Sequence, residues 1–125
     1  MMKIMVVDDE QDVAFLFKQR FRKEVREGLV EFVFALSGDE AMKYLKSFTP
    51  PDVVLILSDI NMPGMTGIEL LKMVKENFPQ LKVCMITAYS DEHNFKTAMA
   101  YGAAEYFTKP IDFEKLKKEM FAATA

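Results

Sequence analysis

A short set of polar side chains carries the chemical potential of this sequence. Asp8, Asp9 and Glu10 stand directly after the apolar run Ile4 to Val7, and Asp59 comes just after the run Val53 to Leu57. Thr87 follows Val83 to Ile86, and Lys109 comes after Ala104 to Phe107. Carboxylates crowded together repel one another and take up protons unless a cation sits among them. A hard divalent ion resolves that conflict, and Mg²⁺ takes oxygen ligands from a few carboxylates together with water. Zinc is a poor fit, because the chain has one histidine, His93, and one cysteine, Cys84, which lies inside an apolar run. Lys109 can neutralise a further anion and the Thr87 hydroxyl can supply a hydrogen bond. The combination suits a phosphoryl group carried on a carboxylate, its charge spread by metal and lysine. Aspartate serves as the nucleophile without a base, since it is already ionised at neutral pH.

For these residues to meet, the chain must bring the ends of several strands to one edge. The Val- and Ile-rich runs at Ile4 to Val7, Val53 to Leu57 and Val83 to Ile86 read as strands buried on both faces. Glu31 to Leu36 and Ala104 to Phe107 are weaker strands. Segments of helical period lie between them. The first, Asp12 to Glu27, puts Val13, Leu16, Phe17, Phe21 and Val25 on one stripe, with Lys18, Gln19, Arg22 and Arg26 opposite and Gly28 as its stop. The second, Gly38 to Phe48, has Ser37 as N-cap, buries Ala41, Met42 and Leu45, and ends at Pro50 and Pro51. A third starts near Thr66, buries Ile68, Leu71 and Val74, and ends before Pro79. The fourth, Asp91 to Tyr101, has the narrow stripe Phe95, Ala98 and Met99, and the fifth, Asp112 to Ala122, is capped by Asp112 and buries Phe113, Leu116 and Met120. Unbroken alternation of strand and helix predicts an α/β fold: a five-stranded, doubly wound parallel sheet. In such sheets ligands bind beyond the carboxyl ends of the strands, where all four stations fall.

The 125 residues are one domain's worth of chain, 50% hydrophobic and 28% charged, which is the balance of a folded, soluble domain. A net charge of -3 provides no basic field for phosphate backbones, so no direct nucleic-acid binding is expected. The opening MMKIMVVDDE lacks the long apolar region of a signal peptide, and no apolar run approaches membrane-spanning length. A cytoplasmic, membrane-free location is therefore expected.

Taken in order, VVDDE, SDINMPGMTGIELL, MITAY and YGAAEYFTKP resemble the receiver (CheY-like) domain of two-component response regulators over nearly the whole chain, and one such domain is expected over residues 1–125. The resemblance implies a flavodoxin-like fold with strand order 2-1-3-4-5. It implies that Asp59 accepts the phosphoryl group, that Asp9 and Asp59 bind Mg²⁺ by side chain and Asn61 by its backbone carbonyl, and that Asp8 helps through water. It further makes Lys109 and Thr87 partners of the phosphoryl oxygens, Tyr106 the switch aromatic, and Lys109-Pro110 a cis peptide bond. Tyr89 and Asn61, two residues beyond Thr87 and Asp59, flank in this family the path of the hydrolytic water, and a bulky Tyr89 is expected to screen the acyl phosphate. The implied partners are a sensor histidine kinase or a phosphotransfer protein. An effector domain or a second copy would use the fourth helix, fifth strand and fifth helix, here Asp91 to Ala122. The implied chemistry is self-directed, with no separate substrate turned over.

Two rival functions are weighed by the same residues. An interaction module that has lost phosphotransfer should lack Asp59, Asp9 or Lys109, and all are present. A Mg²⁺-dependent phosphohydrolase with an aspartyl nucleophile resembles a D-x-D motif after strand one and usually carries a cap domain, whereas here the nucleophile follows strand three and no room is left for a cap. Among the remaining residues, His93 reads as a surface residue, the methionines as core filler, and Met62 and Met65 as candidates to cover the site. The first helix is about a turn longer than is usual for the family. Phe15 falls on its polar face, compatible with a docking surface or with packing against a neighbouring loop.

Overall fold

The computed structural model describes residues 1–48, 51–88 and 91–122. Its strands are β1 (Met2–Val7), β2 (Val30–Ala35), β3 (Leu55–Asp59), β4 (Lys82–Thr87) and β5 (Glu105–Thr108). Its helices are α1 (Gln11–Arg20), α2 (Arg22–Arg26), α3 (Gly38–Lys46), α4 (Gly67–Asn77), α5 (Glu92–Ala100) and α6 (Phe113–Ala122). The sheet has the order β2-β1-β3-β4-β5, and every pairing is parallel. This is the expected doubly wound α/β fold. Successive strand residues alternate between two cores, as the pleat requires. Met5, Val7, Ile56, Val83 and Met85 face α3 and α4, while Ile4, Val6, Leu57, Cys84 and Ile86 pack with Phe17, Phe21, Leu116 and Met120 from α1, its C-terminal boundary and α6.

Short-range signals act as expected where the described residues include them. Ser37 Oγ accepts from the Glu40 N–H at 3.1 Å, and Asp112 accepts from the Lys115 N–H at 3.2 Å. Thr66 and Glu69 form a reciprocal capping box at the start of α4. Pro50, expected to help break the chain after the second helix, lies outside the described residues.

Four expectations are corrected. The third strand begins at Leu55 and runs to Asp59, so the carboxylate is the last strand residue and is held by the ladder instead of following it. The long first helix is two helices, broken at Phe21 (φ -109°, ψ 18°). At the break the fully buried Phe21 ring stacks on Phe17 at 5.8 Å and meets Phe32 and Phe113 edge-on at 5.0 and 6.0 Å. The break turns the next face: Val25 is exposed, and Glu24 instead faces α6, pairing with Lys117 at 3.0 Å. In α5 the predicted stripe is mostly on the surface, since Phe95 and Met99 are exposed and Ala98 alone is buried. The helix lies beside the sheet's β5 margin, where one small side chain suffices to reach the core. In α4 the buried set is Leu70, Leu71 and Val74, with Ile68 only half-buried. Phe15 is 68% exposed, so it does not pack under a neighbouring loop.

Candidate functional site

The parallel register delivers the polar residues to one edge. Val7 pairs with Ser58, Asp59 with Ile86 and Thr87 with Thr108, so the residues at and after these positions form adjoining stations. The backbone N–H of Asp8 donates to the Ala35 carbonyl at 3.1 Å and that of Lys109 to the Thr87 carbonyl at 2.7 Å, which ties the two outlying stations to the sheet. Asp8, Asp9 and Asp59 each offer a carboxylate oxygen, and the three atoms lie within 4.8 Å of one another. Asp8 and Asp59 are buried; Asp9 is exposed. The Lys109 ammonium donates to Asp8 Oδ2 at 3.1 Å and stands 3.8 Å from Asp59 Oδ2. Asp8 Oδ1 accepts from the Glu10 N–H at 2.9 Å.

The electrostatics follow from this crowding. Burial, and then the charge of Asp8, push the Asp59 carboxyl up to about 6, against the partial relief given by Lys109 and the backbone N–H groups of Ile60 and Asn61. Burial works against the charged form of Lys109, but its hydrogen bond to Asp8 and the neighbouring carboxylates outweigh that and hold its pKa above the ordinary lysine value. The described site is thus an anionic pocket with one resident cation, and its three carboxylate oxygens are the donors that a hard divalent ion prefers.

Gly67, which the sequence reading did not single out, shapes this edge. A Cβ there would fall 2.0 Å from the Asp59 carbonyl oxygen, and the Gly67 N–H donates to the Ile60 carbonyl at 2.8 Å. The start of α4 therefore rests directly on the backbone of the central carboxylate. Gly67→Ala is expected to destabilise the fold by roughly 1–3 kcal/mol through this overlap, read by chemical denaturation; an unchanged midpoint would show that α4 can step back freely. The available signal was a glycine at the first position of a helix, where most residues favour helix more.

The remaining expected residues occupy mixed positions. Thr87 is fully buried at the end of β4, and Asn61 is exposed just beyond β3. Tyr106 on β5 is half-buried; its hydroxyl is buried without a hydrogen-bond partner, and its ring meets Phe95 edge-on at 5.2 Å. Burial, and secondarily Asp91, raise the pKa of that hydroxyl. The Lys109-Pro110 bond is cis. Met62 is taken up in the core and Met65 packs against Gly38, so the expected cover over the carboxylates is not where these two side chains go. His93 is exposed, and Tyr89 lies outside the described residues.

The family profile described as "Response regulator receiver domain" matches residues 4–121. The chain belongs to the response regulator receiver family. Among its curated relatives, this receiver is 38% identical over 112 residues to the DNA-binding transcriptional regulator NtrC of Proteus hauseri, covering 90% of the chain and 22% of that protein. It therefore spans about a fifth of the length of the NtrC relatives. It is 32% identical over 115 residues to sporulation initiation phosphotransferase F of Bacillus subtilis, covering 92% of the chain and 87% of the relative. Among solved structures, it is similar to response regulator protein TrrA of Thermotoga maritima in complex with Mg²⁺ and BeF, with TM-score 0.81, 32% identity, and 98% and 99% of the two chains covered. A receiver domain protein of Clostridium thermocellum gives TM-score 0.85 at 26% identity, covering 98% and 94%. No helix among the described residues of the receiver is long and apolar enough to cross a membrane.

Proposed function

We propose that this receiver takes a phosphoryl group onto Asp59 from the phosphohistidine of a sensor histidine kinase or phosphotransfer protein, and converts it into a change of binding surface on α5, β5 and α6. The observation that carries the reading is the meeting of three carboxylates and Lys109 at one sheet edge, with Asp59 the last residue of its strand. A carboxylate oxygen of Asp59 attacks phosphorus, the bond from phosphorus to the donor nitrogen breaks, and the imidazole leaves with the electron pair. Lys109 takes a phosphoryl oxygen and Thr87 another, and Tyr106 follows Thr87. Side chains of Asp9 and Asp59 and the backbone carbonyl of Asn61 would hold Mg²⁺, whose charge offsets that of the phosphoryl oxygens. Asp8 would act through water, which agrees with both of its oxygens being engaged, one by Glu10 and one by Lys109. The receiver works in the cytoplasm, away from membrane and nucleic acid, and modifies itself instead of turning over a separate substrate. Its other partner is an effector domain or a second copy of the receiver.

The pH dependence tests this reading. Asp59 must be ionised to attack or to bind metal, and with its carboxyl pushed up to about 6 the ionised fraction falls steeply just below neutrality. At subsaturating Mg²⁺, initial labelling by acetyl phosphate is expected to drop about tenfold from about pH 7 to about pH 5. An ordinary carboxylate would leave the rate nearly level over that range, and that level profile would contradict the proposal.

A further inference from the structure

Gly38 and Met65 belong neither to the carboxylate cluster nor to the phosphoryl-binding pair, yet they meet between α3 and the loop that follows Asp59. A Cβ on Gly38 would stand 2.6 Å from Met65 Sδ, 3.0 Å from its Cγ and 3.1 Å from its Cβ. Met65 thus fills the space that any side chain at position 38 would need. Backbone geometry does not demand this glycine: the positive-φ glycines are Gly28, Gly64 and Gly102, and Gly38 is the first residue of α3, where alanine favours helix. What the glycine provides is a notch.

The loop between β3 and α4 is accordingly anchored at three places. Met62 is buried in the core, Met65 sits on Gly38, and Gly67 rests on the Asp59 and Ile60 backbone. Asn61 lies between the strand end and the first of these anchors, and Met65 directly precedes the capping residue Thr66.

We propose that Gly38 and Met65 are positioning residues for the phosphoacceptor site: Met65, seated in the notch over the first residue of α3, holds the loop that carries Asn61 and so sets the geometry available to the metal. This rests on the reading of Asp9, Asp59 and Asn61 as the Mg²⁺ ligands. Neither positioning residue touches the ion. Their contribution is to remove the freedom the loop would otherwise lose on binding.

The test compares the receiver with Gly38→Ala, Met65→Ala and the double variant. Each is titrated with Mg²⁺ alone by NMR, with labelled methionine methyl groups reporting on Met65 and thermal melts reporting on the fold. Gly38→Ala is expected to shift the Met65 methyl resonance before any metal is added, and to weaken Mg²⁺ binding about fivefold or more with no fall in melting temperature. Met65→Ala is expected to weaken binding similarly, and adding Gly38→Ala to it to change affinity less than about twofold, because the side chain in the way is gone. An unmoved methyl resonance, an unchanged Mg²⁺ affinity in Gly38→Ala, or two effects that simply multiply would overturn the proposal. Should Gly38→Ala fail to fold, Met65→Ala decides alone, and wild-type affinity there counts against the seat. Asp59→Asn is run in parallel: if its Mg²⁺ affinity equals the wild type's, the metal-site reading fails, while the methyl shift still reports separately on the seat.

Discussion

Asp59→Asn is expected to abolish labelling by acetyl phosphate and, in the absence of metal, to raise the stability of the receiver at neutral pH. The loss follows from removing the nucleophilic oxygen. The gain follows from the carboxyl's surroundings, since burial and the nearby charge of Asp8 move its pKa from 3.8 to about 6. A carboxyl that holds its proton more tightly folded than unfolded imposes no penalty below about pH 4, a growing one between about 4 and 6, and the full one above. At neutral pH the shift corresponds to roughly 3 kcal/mol. Asparagine keeps the volume without the charge, so a gain of about 1–3 kcal/mol is expected, several degrees in melting temperature. Melting curves of the two proteins at about pH 7.5 and about pH 4.5 decide it. The gap should be wide at the higher pH and shrink to about a third of that at the lower. Equal melting temperatures at the higher pH would mean that Asp59 is better solvated, or better paired, than its place between Asp8 and Lys109 implies.

Lys109→Ala is expected to separate metal binding from switching. The ammonium lies 3.1 Å from Asp8 and 3.8 Å from Asp59, so it is the cation within a pocket of two buried carboxylates. Its removal leaves their repulsion uncompensated and is expected to lower the stability of the metal-free protein by on the order of 2 kcal/mol above about pH 6. No metal ligand is lost. Mg²⁺ affinity at neutral pH should therefore hold or rise, since the pocket becomes more negative. The phosphoryl group, by contrast, loses its lysine partner: labelling should slow at least about tenfold, and beryllofluoride should no longer change the NMR signals of Tyr106. Loss of Mg²⁺ binding in this variant would place Lys109 in the metal site's support and contradict the division of roles.

The meeting of Asp8, Asp9, Asp59 and Lys109 at one edge was legible in the sequence because these residues sit at the ends of apolar runs that read as buried strands. Val and Ile runs such as Val83 to Ile86 have little choice but to be inner strands, and the polar residue that ends each one is left at the sheet edge. Helix details were less legible. Phe17, Phe21 and Val25 are spaced as one continuous stripe, and only the aromatic packing of Phe21 with Phe17, Phe32 and Phe113 shows why the helix breaks there and why Val25 turns outward. Phe95 and Met99 likewise match an inward face, but α5 lies at the sheet margin, and their burial depended on what stood opposite. Gly67 and Gly38 were silent for a related reason: a glycine's role as clearance belongs to the atoms packed against it, the Asp59 backbone in one case and Met65 in the other.

The central claim is that one carboxylate, Asp59, receives the phosphoryl group and does so with Mg²⁺. The most direct measurement is to incubate the receiver with acetyl phosphate, reduce the acyl phosphate with borohydride and locate the product by mass spectrometry, with and without EDTA. The account predicts one modified residue, Asp59, and no modification when the metal is chelated. Modification at Asp8 or Asp9 in place of Asp59, or full labelling in EDTA, would contradict it.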